Sequence, residues 1–141
     1  MALTREEREQ FLAEPHVGAL AVSAGPGRGP LTVPIWYQYA PGEDLWVLTG
    51  ASSRKTQLIR AAGRFSMMAE RLTPTVRYVS VEGPVTTIEP GTAEHRHEIA
   101  HRYLDEPAAA RYLAFAQDHL GPEVVISMQP ERWLAADLGS F

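Results

Sequence analysis

The hydrophobic pattern of the chain begins with helical spacing and changes early to that of strands. Thr4-Arg5-Glu6-Glu7 has the Thr-x-x-Glu form of a capping box, and Phe11 and Leu12 give the helix that follows an apolar side. Pro15 ends it. "VGALAVSA" (17–24) is a short apolar run, "GPGRGP" (25–30) is turn chemistry, and "LTVPIWYQYA" (31–40) is aromatic and β-branched, so the three together read as a hairpin. Pro34 cannot donate a ladder hydrogen bond, which marks this second strand as an edge, a bulge or a backbone facing something other than a neighbour. Pro41-Gly42-Glu43-Asp44 turns the chain into a third strand, "LWVLTG" (45–50).

Ser52 or Ser53 then caps a helix running to about Ala62, and "GRFSMMAE" (63–70) is a fourth strand. The longest alternation is "TVRYVSVEGPVTTIEP" (75–90), with Val76, Tyr78, Ser80 and Glu82 on one face and Arg77, Val79 and Val81 on the other. It predicts a long twisted strand with a break at Gly83-Pro84. Two helices follow on either side of Asp105-Glu106-Pro107, with Ile99, Tyr103 and Leu104 on one face of the first, and Gly121-Pro122 stops the second. "EVVISMQP" (123–130) is a late strand and "ERWLAADLGSF" a short closing segment. Six strands joined by tight turns predict a mainly β (α+β) fold, a small six-stranded antiparallel barrel with peripheral helices. A doubly wound sheet would need helices between most successive strands, and only one pair here has a short helical crossover.

Composition narrows the function. At 141 residues and 45% hydrophobic content the chain makes one domain, 1–141, with a single core. A formal net charge of −4 and a pI near 5.7 argue against a nucleic-acid-binding face. The lack of cysteine removes disulfides, thiolate metal sites and thiol nucleophiles and fits a reducing compartment, with the cytoplasm as the default location. The charged N-terminus has neither a signal-peptide core nor a membrane span. Among the 13 basic residues Lys55 is the single lysine. A GC-rich genome accounts for the arginines, and it leaves the lysine to be explained.

Lys55 stands in Ser52-Ser53-Arg54-Lys55-Thr56, where a strand hands over to a helix. Free backbone N–H groups and the positive end of the helix dipole converge there, and a planar arginine fork beside a mobile ammonium completes a phosphate cradle. The same residues also fit an ordinary capped surface helix. In "VPIWYQY", Trp36, Tyr37 and Tyr39 supply rings and Pro34 frees a backbone position, so a flat heterocycle or simple core packing accounts for them equally. His95, His97 and His101 crowd one predicted helix, but no further ligand has a fixed spacing to them, so a solvated face is the expectation and no metal is assigned. His16, Ser23 and Glu82 form no recognisable triad, and no catalytic side chain is assigned.

In their order these segments resemble the pyridoxamine 5'-phosphate oxidase-like FMN-binding split barrels. "LTVPIW" resembles the strand that lines the flavin ring, "SSRKTQLIRAAGRFSMM" the Ser-Arg-Lys element that grips the phosphate, and "RYVSVEGPV" the later strand ending in glycine. The resemblance spans roughly residues 11–90, and the helix pair and "VVISMQPERWLAADLG" keep the family's order of elements. It implies a six-stranded split β-barrel. Arg54, Lys55 and Ser53 would hold the cofactor phosphate, with Leu48 and Thr49 ending the strand beside it. Thr32, Val33, Pro34, Ile35 and Trp36 would lie along the ring, Tyr78 would take a polar position reached across a dimer, and Trp133 would close over the cofactor or pack as a core aromatic.

The departures are informative. Leu31 to Trp36 lacks the basic residues that flank this strand in true pyridoxamine phosphate oxidases, Tyr78 replaces a glutamine, and the long C-terminal segment that grips the vitamin is absent. A vitamin B6 oxidase is therefore not expected. The resemblance implies a homodimeric oxidoreductase that binds FMN, or alternatively the deazaflavin coenzyme F-420, and passes hydride from a donor to a small planar substrate. Arg28, Arg60 or Arg77 would suit the anionic tail of the deazaflavin. A non-catalytic carrier of flavin or haem is the rival reading. A barrel this small cannot enclose a tricycle, so a second subunit is expected to cover it.

Overall fold

The computed structural model describes residues 1–141 and contains four helices and eight strands. Helix α1 (Arg5–Ala13) precedes strands β1 (Gly18–Val22), β2 (Leu31–Ile35), β3 (Tyr37–Gln38) and β4 (Leu45–Gly50). Helix α2 (Arg54–Ala62) leads into β5 (Arg64–Arg71) and β6 (Val76–Pro90), and α3 (Ala93–Tyr103) and α4 (Glu106–His119) lead into β7 (Glu123–Met128) and β8 (Arg132–Gly139).

The strands pair antiparallel in the order β2-β1-β5-β6-β7-β4-β3. The two ends of that order, β2 and β3, are one run of chain interrupted at Trp36, so the sheet returns on itself and six strand runs wall the barrel. The expected antiparallel barrel with peripheral helices is present. Two features raise the strand count from six to eight. The expected second strand divides at Trp36 as it passes from β1 to β4, and residues 132–139, expected as a short closing segment, form β8 along β6 from Val76 to Glu82.

The expected break at Gly83-Pro84 does not occur. Strand β6 runs through it but changes partner, from β8 before Gly83 to β7 from Val85 onward. The 129–131 segment crosses here, its N–H groups donating to the Glu82 and Pro84 carbonyls at 2.9 and 3.0 Å. Only glycine fits beneath it: a Cβ on Gly83 would stand 1.7 Å from the Gln129 carbonyl oxygen.

Alternation fills the interior. Leu20, Met67, Val79, Val81, Val47 and Ile126 are wholly buried, each contributing about 1.5–3 kcal/mol of hydrophobic stabilisation. Helix α1 packs Phe11 and Leu12 into the same core, and its capping box at Thr4 and Glu7 forms as expected. Its last carbonyls are satisfied from elsewhere. The buried Tyr37 hydroxyl donates to the Leu12 carbonyl at 2.7 Å, and the Arg102 guanidinium donates to Ala13 and Glu14 at 2.9 and 2.8 Å. No helix is long and apolar enough to cross a membrane.

Candidate functional site

Strand β2 pairs with β1 on one side only, so Pro34 sits on an edge, as its missing N–H requires. Within β2, Leu31, Val33 and Ile35 pack toward the core while Thr32 and Pro34 are exposed. One cross-strand row on that outer face runs Pro34, Ala19, Met68, Ser80, Leu134, small or apolar throughout. A shallow hollow of about 360 Å³ lies there, lined by Thr32, Val33, Pro34, Ala19, Met68 and Glu70 among others.

A second cleft, of about 430 Å³, adjoins it and shares Val17 and Pro34. It brings together Ile35, Trp36, Leu48, Thr49 and Lys55, which lie as many as twenty positions apart in the chain. The hairpin geometry explains the meeting. Strand β4 ends at Gly50, a tight turn follows, and Ser53 caps α2 by accepting from the Thr56 N–H, so Lys55 stands in the first turn beside the end of β4. The Thr56 hydroxyl, itself buried, donates to the Gly50 carbonyl at 2.7 Å and fixes that turn.

The cations at this corner are unpaired, and the one carboxylate lining it, Glu123, is already held by Arg96. Neither Arg54 nor Lys55 has an ion pair within the chain. Their backbone N–H groups find no acceptor, and the first turn of α2 carries no acidic residue. An anion at this end of the cleft therefore meets a cation, two open donors and the positive end of a helix dipole. Arg54 is exposed and Lys55 half-buried, so only the lysine lines the cleft itself.

The remaining expectations sort by position. Ser53 serves as the helix cap, and Tyr78 lies on β6 between Glu70 and Ala136, beside the hollow rather than in the cleft. Trp133 faces away from both: it packs against the core under the Arg8 guanidinium, 4.7 Å from it, and edge-on to Tyr39. Burial and the Glu9 carboxylate push the Tyr39 phenol up to about 12. Arg77 is tied to Asp137 at 2.9 Å, which removes it from the arginines open to an anionic tail. His95 accepts from the Thr92 N–H as part of the α3 cap, and His97 and His101 are exposed with ring centres 5.8 Å apart.

Five residues lining the cleft were not singled out for the site from sequence: Val17, Gly50, Ile99, Tyr112 and Glu123. Local pattern carries no signal for them: the pairing of β7 with β4 sets Glu123 beside Gly50, and Ile99 and Tyr112 arrive with the docking of α3 and α4 on the sheet. Trp36 is what they dock on. Its indole is stacked on Tyr103 at 4.8 Å and tilted against Tyr112 at 5.4 Å.

Comparison with known proteins agrees with this geometry. Residues 4–137 match the family model described as pyridoxamine 5'-phosphate oxidase. Among solved structures, an F420 reductase is 26% identical with a TM-score of 0.69, over 89% of this chain and 94% of that one. A conserved hypothetical protein of Mycobacterium tuberculosis is 24% identical with a TM-score of 0.71, over 97% of this chain and 86% of that one. A FAD-binding protein of Mesorhizobium loti, 21% identical with a TM-score of 0.69 over 99% and 98% of the two chains, shares the fold. No curated protein matches. With the family model covering nearly the whole chain, and the barrel, edge strand and basic helix start in their expected order, the chain belongs to the pyridoxamine 5'-phosphate oxidase family of split barrels.

Proposed function

We propose that this chain is a homodimeric oxidoreductase that binds FMN at the subunit interface and passes hydride to a small planar substrate. The observation that carries the reading is Lys55, the single lysine and free of any ion pair, opening into the same cleft as the edge strand at Pro34 to Trp36. The donor set suits a phosphate, and the cleft with its adjoining hollow falls in the size range of a cofactor site.

In this assignment Lys55, Arg54 and the open N–H groups hold the phosphate, with Leu48 and Thr49 beside it, and Ser53 keeps the helix start in shape. Thr32 and Pro34 present side chains to the ring, while Val33 and Ile35 present only backbone, since their side chains pack toward the core. A bound flavin supplies the two-electron chemistry. The protein supplies orientation and excludes water.

The second subunit is assigned to the outer face of β2, β1, β5, β6 and β8. That face carries the hollow and Tyr78, and it leaves Val17 58% and Leu134 65% exposed, which is unfavourable for a free surface. A second copy there covers the ring.

A second reading replaces FMN by coenzyme F-420 in the same cleft, and the 26% identity to an F420 reductase favours it. Both share a flat tricycle and a phosphate. Fluorescence titration of the protein with each cofactor decides between them, and stopped-flow mixing of the loaded protein with NAD(P)H or with reduced deazaflavin separates an enzyme from a carrier. A protein that retains neither cofactor on dialysis contradicts the proposal.

A further inference from the structure

The wall of the cleft contributed by α4 and β7 has chemistry of its own. Tyr112 lies with its ring against Trp36, and its hydroxyl makes no hydrogen bond within the chain. Burial, and after it the nearby Glu123 carboxylate, raises its pKa, so it remains a neutral donor at physiological pH.

Glu123 is the register partner of Gly50, so it stands at the end of β4 where α2 begins. Arg96 holds it through Nε and Nη2 at 2.9 and 2.7 Å, both on Oε1. The other oxygen, Oε2, has no donor from the chain. This carboxylate does not cancel Lys55, because Arg96 already balances its charge.

Tyr112 thus lines the same cleft as Lys55, with its ring against Trp36 and with Glu123 nearby. A phenol donor beside a carboxylate acceptor, backed by aromatic rings, matches a chain of hydroxyl groups, each of which both donates and accepts. The carboxylate, an acceptor only, does not suit a phosphate, and it is the pairing of donor with acceptor that points to hydroxyls.

We infer that Tyr112 and Glu123 form a polyol subsite, recognising the ribityl-type chain that joins ring to phosphate. This rests on the cofactor assignment above, and it adds a contact from α4 and β7 that lies outside the segments carrying the family resemblance.

The test uses ligands that dissect the cofactor. The protein is titrated with FMN, with riboflavin, which keeps ring and chain but lacks the phosphate, and with lumiflavin, which keeps the ring alone. Coenzyme F-420 and 8-hydroxy-5-deazariboflavin extend the series to the deazaflavins.

Tyr112→Phe keeps the ring against Trp36 and removes one neutral donor, so it weakens FMN and riboflavin alike by about threefold to tenfold. Lumiflavin affinity and the melting temperature stay unchanged. Glu123→Gln weakens FMN and riboflavin alike and, because it also breaks the pair with Arg96, lowers the melting temperature, whereas Lys55→Ala weakens FMN and spares riboflavin.

Unchanged riboflavin and FMN affinity in Tyr112→Phe overturns the subsite while leaving the cofactor assignment standing. An equal loss for lumiflavin also overturns it, because the contact would then be to the ring. If the wild-type protein binds no flavin or deazaflavin, the cofactor assignment itself fails and the subsite falls with it.

Discussion

Gly83 is the residue at which β6 leaves β8 and joins β7, with the backbone at Gln129 against its α-carbon. Gly83→Ala must push that crossing aside and is expected to cost about 2–4 kcal/mol, read as a lowered midpoint in denaturant unfolding. Gly83→Ala with wild-type stability would mean that the crossing yields freely. The sequence marked Gly83 as a break because glycine followed by proline looks like punctuation, whereas the requirement comes from a segment 46 positions away. Lys55 and Pro34 were more legible. Each is conspicuous in its local context, one as the only lysine and the other as a proline in a strand, and each has a local consequence that needs no partner to state. Tyr112 had no such mark, because its position depends on how α4 settles on Trp36.

Strands and helices were readable to the extent that their own residues determine them. The caps of α1 and α2 and the alternation of β6 are local properties, and they form as expected. Strand β8 was missed because "RWLAADLG" alternates weakly and becomes a strand only by pairing with β6. One end of that pairing is fastened by Asp137, which accepts from the Thr75 hydroxyl, the Gly139 N–H and the Arg77 guanidinium. These bonds, led by the one from Thr75, hold its carboxyl down at about 2, below the ordinary 3.8. A lowered folded-state value means that the stabilisation is complete above the ordinary value and is lost as pH falls toward about 2. Thermal melts should show the difference between wild type and Asp137→Asn clearly at pH 7 and shrinking between pH 4 and pH 2. A difference independent of pH would remove the carboxylate from the fastening. At the end of α1, Tyr37→Phe leaves the Leu12 carbonyl without its closest donor and should cost about 1–2 kcal/mol by denaturant unfolding. A neutral outcome would show that Arg102 or water replaces the bond.

On the scale of the whole molecule, the outer face of the sheet joins fold to function. The hollow beside Pro34 is shallow and opens outward, and the row from Pro34 to Leu134 is too apolar to face water comfortably. Assembly and cofactor binding are therefore expected to fail together. Leu134→Arg, at a site 65% exposed in the single chain, should yield a folded monomer in sedimentation that has lost tight flavin binding. A monomer that still holds flavin tightly would place the ring inside one subunit. This level was the least legible in the sequence, since a row drawn from five strands exists only after the register is set. The central claim is that the single lysine of the chain grips a cofactor phosphate, and it is tested most directly by titrating the wild-type protein and Lys55→Ala with FMN and with coenzyme F-420. Loss of one charged contact predicts affinity lower by about tenfold or more for whichever cofactor the wild type binds. Affinities that do not change in Lys55→Ala would contradict it.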